Sequence, residues 1–394
     1  MTRMLKISGA LLIVSICAGG CTSDREMARA SPPAEHATLA RAAQWLWAQQ
    51  ADDGGWHSPT YGLLKSGQAY TPFVLHALLN VPEGVAERPA GGVERALVFL
   101  RRHIHAEGAL GLADPEVLEY PTYSTAYALL CFEQAGAASD QGLVARLQRW
   151  LLDQQYREAN GFEREHPAYG GWGFGGPITT GVPGHMDLAH TRRVLQALRT
   201  TRCSDHEAFQ RAEHFLRLVQ RHPSETRPQP SLEAIPAETP AANAYDGGFY
   251  FSPIVLAANK GRELAADVPH FRSYATATCD GLLALLAAGV PAEDERVQKA
   301  IDWLRRHPQL ERPEGIPLDH PEPWHDALHY YHLAVRAEAY AALDWPGDWR
   351  EQIGAHLAAE QHPDGSFLNR RSHLMKEDDP LLCTALAVIA LRSE

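Results

Sequence analysis

A chain of 394 residues, 45% hydrophobic and 21% charged, has an ordinary globular balance with apolar mass for one large core. Asp and Glu outnumber Lys and Arg by 48 to 36, the formal charge is -12, and no basic run occurs, which excludes a nucleic-acid binder of the usual electrostatic kind. No Cys-x-x-Cys occurs among the six cysteines; Cys131, Cys279 and Cys383 fall in apolar segments and read as buried free thiols.

The chain opens with a targeting pattern. Arg3 and Lys6 precede an apolar run from Ile7 to Ile16 that is too short for a standard membrane span. Ala18-Gly19-Gly20-Cys21 follows and resembles a bacterial lipobox. Residues 1–20 are therefore expected to be a lipoprotein signal peptide, Cys21 the lipidated residue and 21–37 a polar tether. That implies export and anchoring at a bacterial membrane, on the periplasmic or cell-surface side.

From residue 38 onward one unit recurs six times: an amphipathic helix, a Gly-rich turn and a more apolar helix. The first turn reads Gln50-Ala51-Asp52-Asp53-Gly54-Gly55-Trp56 and the last Gln361-His362-Pro363-Asp364-Gly365-Ser366-Phe367. Amphipathic helices are predicted over 38–50, 93–106, 142–155, 206–221, 294–307 and 348–361. The apolar ones are predicted over 69–80, 121–135, 187–199, 273–288, 325–343 and 379–392. A helix apolar on every face is buried on every face, so the apolar set is read as the inner layer. The expected fold is all-α: a single (α/α)6 toroid, or barrel, over 38–394, with six outer and six inner helices.

Two outer-to-inner connections are long, Tyr156 to Met186 and His222 to Arg272. Loops beyond about 12–15 residues in a compact domain usually carry function or are disordered. Alternating helix direction gathers them over one mouth, where all inner helices begin. Residues 156–186 and 241–272, rich in Gly and aromatics, are expected to cover it; Pro223–Pro240 is expected to be loose. Tyr70, Tyr123, Asp187, His190, Tyr274 and Tyr331 fall near the inner-helix starts and are the candidate ligand-binding residues. A few polar groups on an apolar wall make a small-molecule site.

The Gln-to-Trp and Gln-to-Phe turns resemble the repeats of the squalene–hopene cyclase and protein prenyltransferase superfamily. Asp246-Gly247-Gly248-Phe249, Tyr330-Tyr331-His332 and Asp379-Pro380-Leu381-Leu382-Cys383 resemble, more closely, an uncharacterised planctomycete-type group of bacterial cyclase-like repeat proteins. The superfamily implies two chemistries. Class II cyclases protonate an alkene with Asp-x-Asp-Asp, which this chain lacks; Asp378 and Asp379, after Glu377, are the nearest acids. Adjacent buried carboxylates can hold a proton, and acids at a helix start also cap it. Prenyltransferases bind zinc through Asp, Cys and His. Asp280-Gly281-Leu282 is similar to their Asp-Gly-Cys segment and Tyr331-His332 to their later Tyr-His, which implies Asp280 and His332 as catalytic and zinc-ligand candidates. Leu282 stands where the thiolate belongs, and His325 and His329 would have to complete the set.

No cofactor is expected, with zinc the one metal in question. The leading expectation is a lipid-anchored toroid that holds an apolar, isoprenoid-like small molecule or lipid without canonical squalene cyclisation. The alternatives are an isoprenoid-processing enzyme using Asp280/His332 or Asp378/Asp379, a scaffold for a protein partner, and a carbohydrate-active toroid. The last needs two opposed carboxylates about 5–10 Å apart; Asp187 and Asp379 are its candidate pair.

Overall fold

The outer helices bury one stripe each. In a computed structural model, which describes residues 34–112, 118–227, 245–263 and 270–392, they are α1 (Ala34–Ala48), α3 (Gly92–His103), α5 (Gln141–Asp153), α7 (His206–Val219), α9 (Glu295–Arg306) and α12 (Trp349–Glu360). In α9, Val297, Ala300, Ile301 and Leu304 recur at helical spacing on the buried side, and Asp294 caps the start by accepting from the Arg296 N–H at 2.8 Å. The inner helices are α2 (Tyr70–Leu79), α4 (Pro121–Ala135), α6 (Leu188–Thr200), α8 (Ala275–Ala288), α11 (His329–Ala342) and α13 (Pro380–Leu391). From Ala275 to Leu285 every residue of α8 except Leu283 is buried, as expected for a helix packed on all sides.

The inner helices close a ring. Each packs on the next, α2 on α4, α4 on α6, α6 on α8, α8 on α11, α11 on α13, and α13 back on α2. Residues Pro33–Glu394 form one compact unit.

The turns explain why the repeat reads as it does. The Gln at the end of an outer helix donates both to its own turn and to the start of the next outer helix. Gln50 reaches the Gly54 and Gly92 carbonyls, Gln155 those of Gly170 and Ala208, Gln220 those of Gly247 and Arg296. Gln361 reaches Gly365 and, across the closure, Thr38 of α1. In five of the six hairpins the residue after the turn gives its N–H to a Thr on the following inner helix: Trp56 to Thr71, Leu110 to Thr125, Trp172 to Thr191, Phe249 to Thr278 and Phe367 to Thr384, all at 3.0–3.1 Å; α11 carries no Thr. The turn glycine supplies close approach. Gly170 has φ +88°, and a Cβ there would lie 1.8 Å from the Arg211 carbonyl oxygen of the next outer helix.

The expected inner helix over 325–343 is in fact two. A short helix α10 (Trp324–Ala327) ends at Leu328, and α11 begins afresh. The Glu377 carboxylate takes the Tyr330 and Tyr331 N–H groups at 3.0 and 2.8 Å, which satisfies the first turn of the new helix. Loop 156–186 is ordered by a two-residue antiparallel pair, β1 (Trp172–Gly173) with β2 (Met186–Asp187); β3 (Arg262–Glu263) pairs with β4 (His270–Phe271) in the other long loop. Cys131, Cys203, Cys279 and Cys383 are free, and all but Cys203 are buried.

The signal peptide, Cys21 and most of the tether lie outside the described residues, as does most of Pro223–Pro240. Among the described residues no helix is long and apolar enough to cross a membrane.

Candidate functional site

The first turns of the inner helices and the loops above them surround a cavity of about 570 Å³, within the range of small-molecule sites. Tyr70, Phe73, Tyr123, Tyr127 and Tyr331 come from the helices, and Tyr274 from the extended residue just before α8. Phe174 and His185 come from the first long loop, Phe251 and Lys260 from the second, Trp324 and Lys376 from the connections before α11 and α13. The wall is therefore mostly aromatic, because tyrosines at the mouth-facing ends of several helices converge on one axis.

Charged groups on this wall are few and individually placed. Asp187 caps α6 through the His190 N–H at 2.9 Å and also meets the His190 Nδ1 at 2.8 Å and the His185 Nε2 at 3.4 Å. Burial would raise its pKa, but the charge and hydrogen bonds of the two histidines outweigh that and hold it well below the usual range. Asp280 behaves oppositely. It is fully buried on α8; its Oδ2 accepts from the Tyr331 hydroxyl at 2.8 Å, and its Oδ1 has no hydrogen-bond partner. Burial pushes its pKa up to about 6, against the pull of Arg192, 3.9 Å away, and of Tyr331. Deeper, Glu338 pairs with Arg192 at 2.6 Å and Arg193 at 3.6 Å. Glu377, spent on the start of α11, is pushed up to about 7 by burial, opposed by its bonds to Tyr331, Asn369 and Tyr330. On Lys260, burial lowers the ammonium pKa to about 8.

Of the sequence candidates, Tyr70, Tyr123, Asp187, His190, Tyr274, Asp280 and Tyr331 lie on this wall. His332 does not: its Nε2 lies 3.1 Å from the Gln309 carbonyl oxygen, and burial pushes its pKa down. Asp280 and His332 are not brought together, because adjacent residues of α11 point about 100° apart and Tyr331, not His332, faces Asp280. Asp378 and Asp379 are off the wall as well. Asp378 accepts from the Tyr61 hydroxyl; Asp379 accepts from Ser58 and caps α13 through the Leu381 N–H at 3.0 Å. Of the pair Asp187 and Asp379, both cap inner helices and only Asp187 is on the wall. Sequence reasoning missed Lys260 and Trp324; it read the loops of Phe174 and Phe251 as cover for the mouth without singling out those two rings, because no periodicity in a loop marks a facing side chain.

The zinc set implied by the resemblance, Asp280 with His332, does not converge. Three other groups do. His329 Nε2 lies 2.8 Å from Glu360 Oε2 and 3.4 Å from His356 Nε2, and His356 Nε2 lies 3.7 Å from Glu360 Oε1. Ligands about 2.0–2.1 Å from a tetrahedral zinc are separated by about 3.3 Å, so these spacings suit the ion. Burial lowers the His356 pKa, and the hydrogen bond and charge of His329 outweigh burial in lowering that of Glu360, which favours the ligating forms. Among the described residues this is the His-His-Glu cluster that could hold a metal, outside the cavity, between α11 and α12; His329 was on the sequence list, the other two were not.

No family model and no curated protein matches the chain. Solved structures do match. The type II terpene cyclase MstE from Scytonema, as a variant in complex with merosterolic acid A, its product, has a TM-score of 0.54 at 15% identity, covering 91% of this chain and 96% of that one. A second variant, in complex with its substrate geranylgeranyl dihydroxybenzoate, has a TM-score of 0.52 at 15% identity with the same coverage. A protein from Actinoplanes has a TM-score of 0.54 at 16% identity, covering 91% of this chain and 99% of that one. The chain shares the (α/α) toroid of the type II terpene cyclases; at these identities the likeness is one of fold.

Proposed function

We propose that the protein binds an apolar, isoprenoid-like molecule in its central cavity. The observation that carries this is the cavity itself: about 570 Å³, walled largely by aromatic rings from the inner helices and from the connections over the mouth. A packed centre would have pointed to a scaffold instead. Structures of the same fold hold a prenylated aromatic substrate and its product. A long-chain isoprenoid such as geranylgeraniol is expected to raise Tm by several degrees near saturation, since a ligand at a hundred times its Kd adds about 2.7 kcal/mol. Replacing both Tyr123 and Tyr274 with Ala should remove most of that rise. No shift with any long-chain isoprenoid would return the ring to a scaffold role.

A second reading, isoprenoid processing, is favoured by one group. Asp280 presents a carboxyl oxygen with no hydrogen-bond partner, on a wall shared with Tyr123, Tyr274 and Tyr331. A carboxylic acid with a raised pKa can protonate an alkene, and aromatic faces stabilise the cation that results. In this reading Asp280 on α8 takes the place of the Asp-x-Asp-Asp acid that the chain lacks.

The anchoring of this toroid at a bacterial membrane through Cys21, and its kinship with the planctomycete-type cyclase-like group, complete the reading. The anchor is supported by Arg3, Lys6, the short apolar run and Gly19-Gly20-Cys21. A metabolic fatty-acid label should appear on the wild type and vanish in Cys21→Ser; equal labelling of both would refute the anchor.

A further inference from the structure

The cavity wall has an imbalance of charge. Each of its carboxylates already has protein partners. Asp187 has His190 and His185, Glu338 has Arg192 and Arg193, Asp280 has Tyr331 and Arg192, and Glu377 has two backbone N–H groups and Asn369. Two lysines on the wall have no carboxylate partner among the described residues. Lys260 is 5% exposed, and its Nζ lies 4.3 Å from the Phe251 ring centroid and 4.4 Å from that of Trp324, with the Ala258 carbonyl as its hydrogen-bond acceptor. Lys376 donates to the Tyr120 hydroxyl at 3.1 Å and stands over the rings of Tyr61 and Tyr120. Among the described residues neither lysine makes an ion pair.

An ammonium out of water without a counter-charge is costly. Two aromatic faces offset part of that cost, and a carbonyl adds one hydrogen bond, but no group of opposite charge is in contact. Both lysines stand on connections over the mouth, Lys260 just after Ala258 and Lys376 four residues before α13. Below them the wall is mostly apolar, through Phe73, Leu386 and Ile389, and its deeper charges, Arg193 and Glu338, are paired with each other. The positive charge without a carboxylate partner is thus at the mouth.

We propose that the ligand is an amphiphile, a long apolar chain carrying an anionic oxyacid head, carboxylate or phosphate, and that Lys260 is the residue that pairs with the head. The proposal rests on the cavity reading above and narrows it: the tail fills the aromatic chamber and the head stays under the loops at the mouth.

The test compares three probes with one tail, geranylgeraniol, geranylgeranoic acid and geranylgeranyl monophosphate, titrated calorimetrically into wild type and Lys260→Met. At least one anionic probe should bind wild type ten-fold or more tighter than the alcohol, and the tighter of the two identifies the head as carboxylate or phosphate. Lys260→Met should bring that probe to within about three-fold of the alcohol measured on the same variant, and far-UV circular dichroism and a cooperative thermal transition check that the variant is folded. Equal binding of all three probes to wild type overturns the anionic head and leaves the apolar cavity standing. An anionic preference that survives Lys260→Met overturns the assignment of Lys260. Binding of none of the three overturns the cavity reading and this proposal with it.

Discussion

Replacing Gly170 with Ala is expected to destabilise the protein by about 2–5 kcal/mol. Two costs add. An L-residue at φ +88° pays about 1–2 kcal/mol for the left-handed backbone. The new Cβ, 1.8 Å from the Arg211 carbonyl oxygen, must also push the turn away from α7, and overpacking of this kind costs about 1–3 kcal/mol. The neighbour is backbone, so no rotamer change relieves the clash. Gln155 links the same turn and the same helix, through Gly170 and Ala208, and would lose geometry at both. Denaturant unfolding measures the effect, and Gly142→Ala is the internal control. Gly142 lies on the exposed face of α5 with open space around its Cβ position, so Ala there should be neutral or stabilising by up to about 1 kcal/mol. Similar midpoints for the two variants would contradict the role given to the turn.

Asp280→Asn is expected to stabilise the protein at pH 8 by up to about 3 kcal/mol and to change it far less near pH 4. The folded pKa of about 6 lies above the ordinary 3.8. The folded state therefore holds this proton more tightly than the unfolded chain does. Wild type loses stability as pH rises from about 4 to 6, and the whole cost remains above that. Two pKa units at 1.36 kcal/mol each give the magnitude. The amide keeps an acceptor for the Tyr331 hydroxyl and has no charge to desolvate. Unfolding free energies of the two proteins, followed from pH 4 to 8, should diverge across that window; parallel curves would mean that the carboxyl is not held protonated by its surroundings. If the wall also performs proton-initiated chemistry on an isoprenoid, the same variant should lose turnover by several orders of magnitude while ligand affinity is retained.

Much of the architecture is legible in the sequence because the repeat is enforced by backbone groups. A Gln that must reach two carbonyls, a glycine that must touch the next helix and a Thr that must accept an N–H leave a recurring signature whatever the surrounding side chains are. The caps Asp187, Asp294 and Asp379 are legible for the same local reason. The candidate site is legible only in part. Tyrosines near helix starts can be read from position, but which of two neighbours faces inward depends on helix rotation. Tyr331 meets Asp280 whereas His332, one residue on, meets Gln309. Three consecutive acids, Glu377, Asp378 and Asp379, look alike in sequence and go to three different partners. Lys260 and Trp324 meet only because two connections distant in sequence lie over the same mouth. The break at Leu328 depends on a group distant in sequence: the Glu377 carboxylate accepts from the Tyr330 and Tyr331 N–H groups, 47 and 46 positions before it, at the start of the new helix.

The link from Gln361 and Gly365 to α1 has a thermodynamic meaning of its own. In an open array of repeats, unravelling can begin at an end unit that has a neighbour on one side only, and proceed inward in steps. Here the first and last hairpins hold each other through Thr38 and Arg41, so every unit is flanked twice and there is no preferred place for fraying to start. Losing any one hairpin breaks two interfaces at once. The assembly is thereby driven towards all-or-none behaviour, and the chamber it surrounds exists only when all six hairpins do.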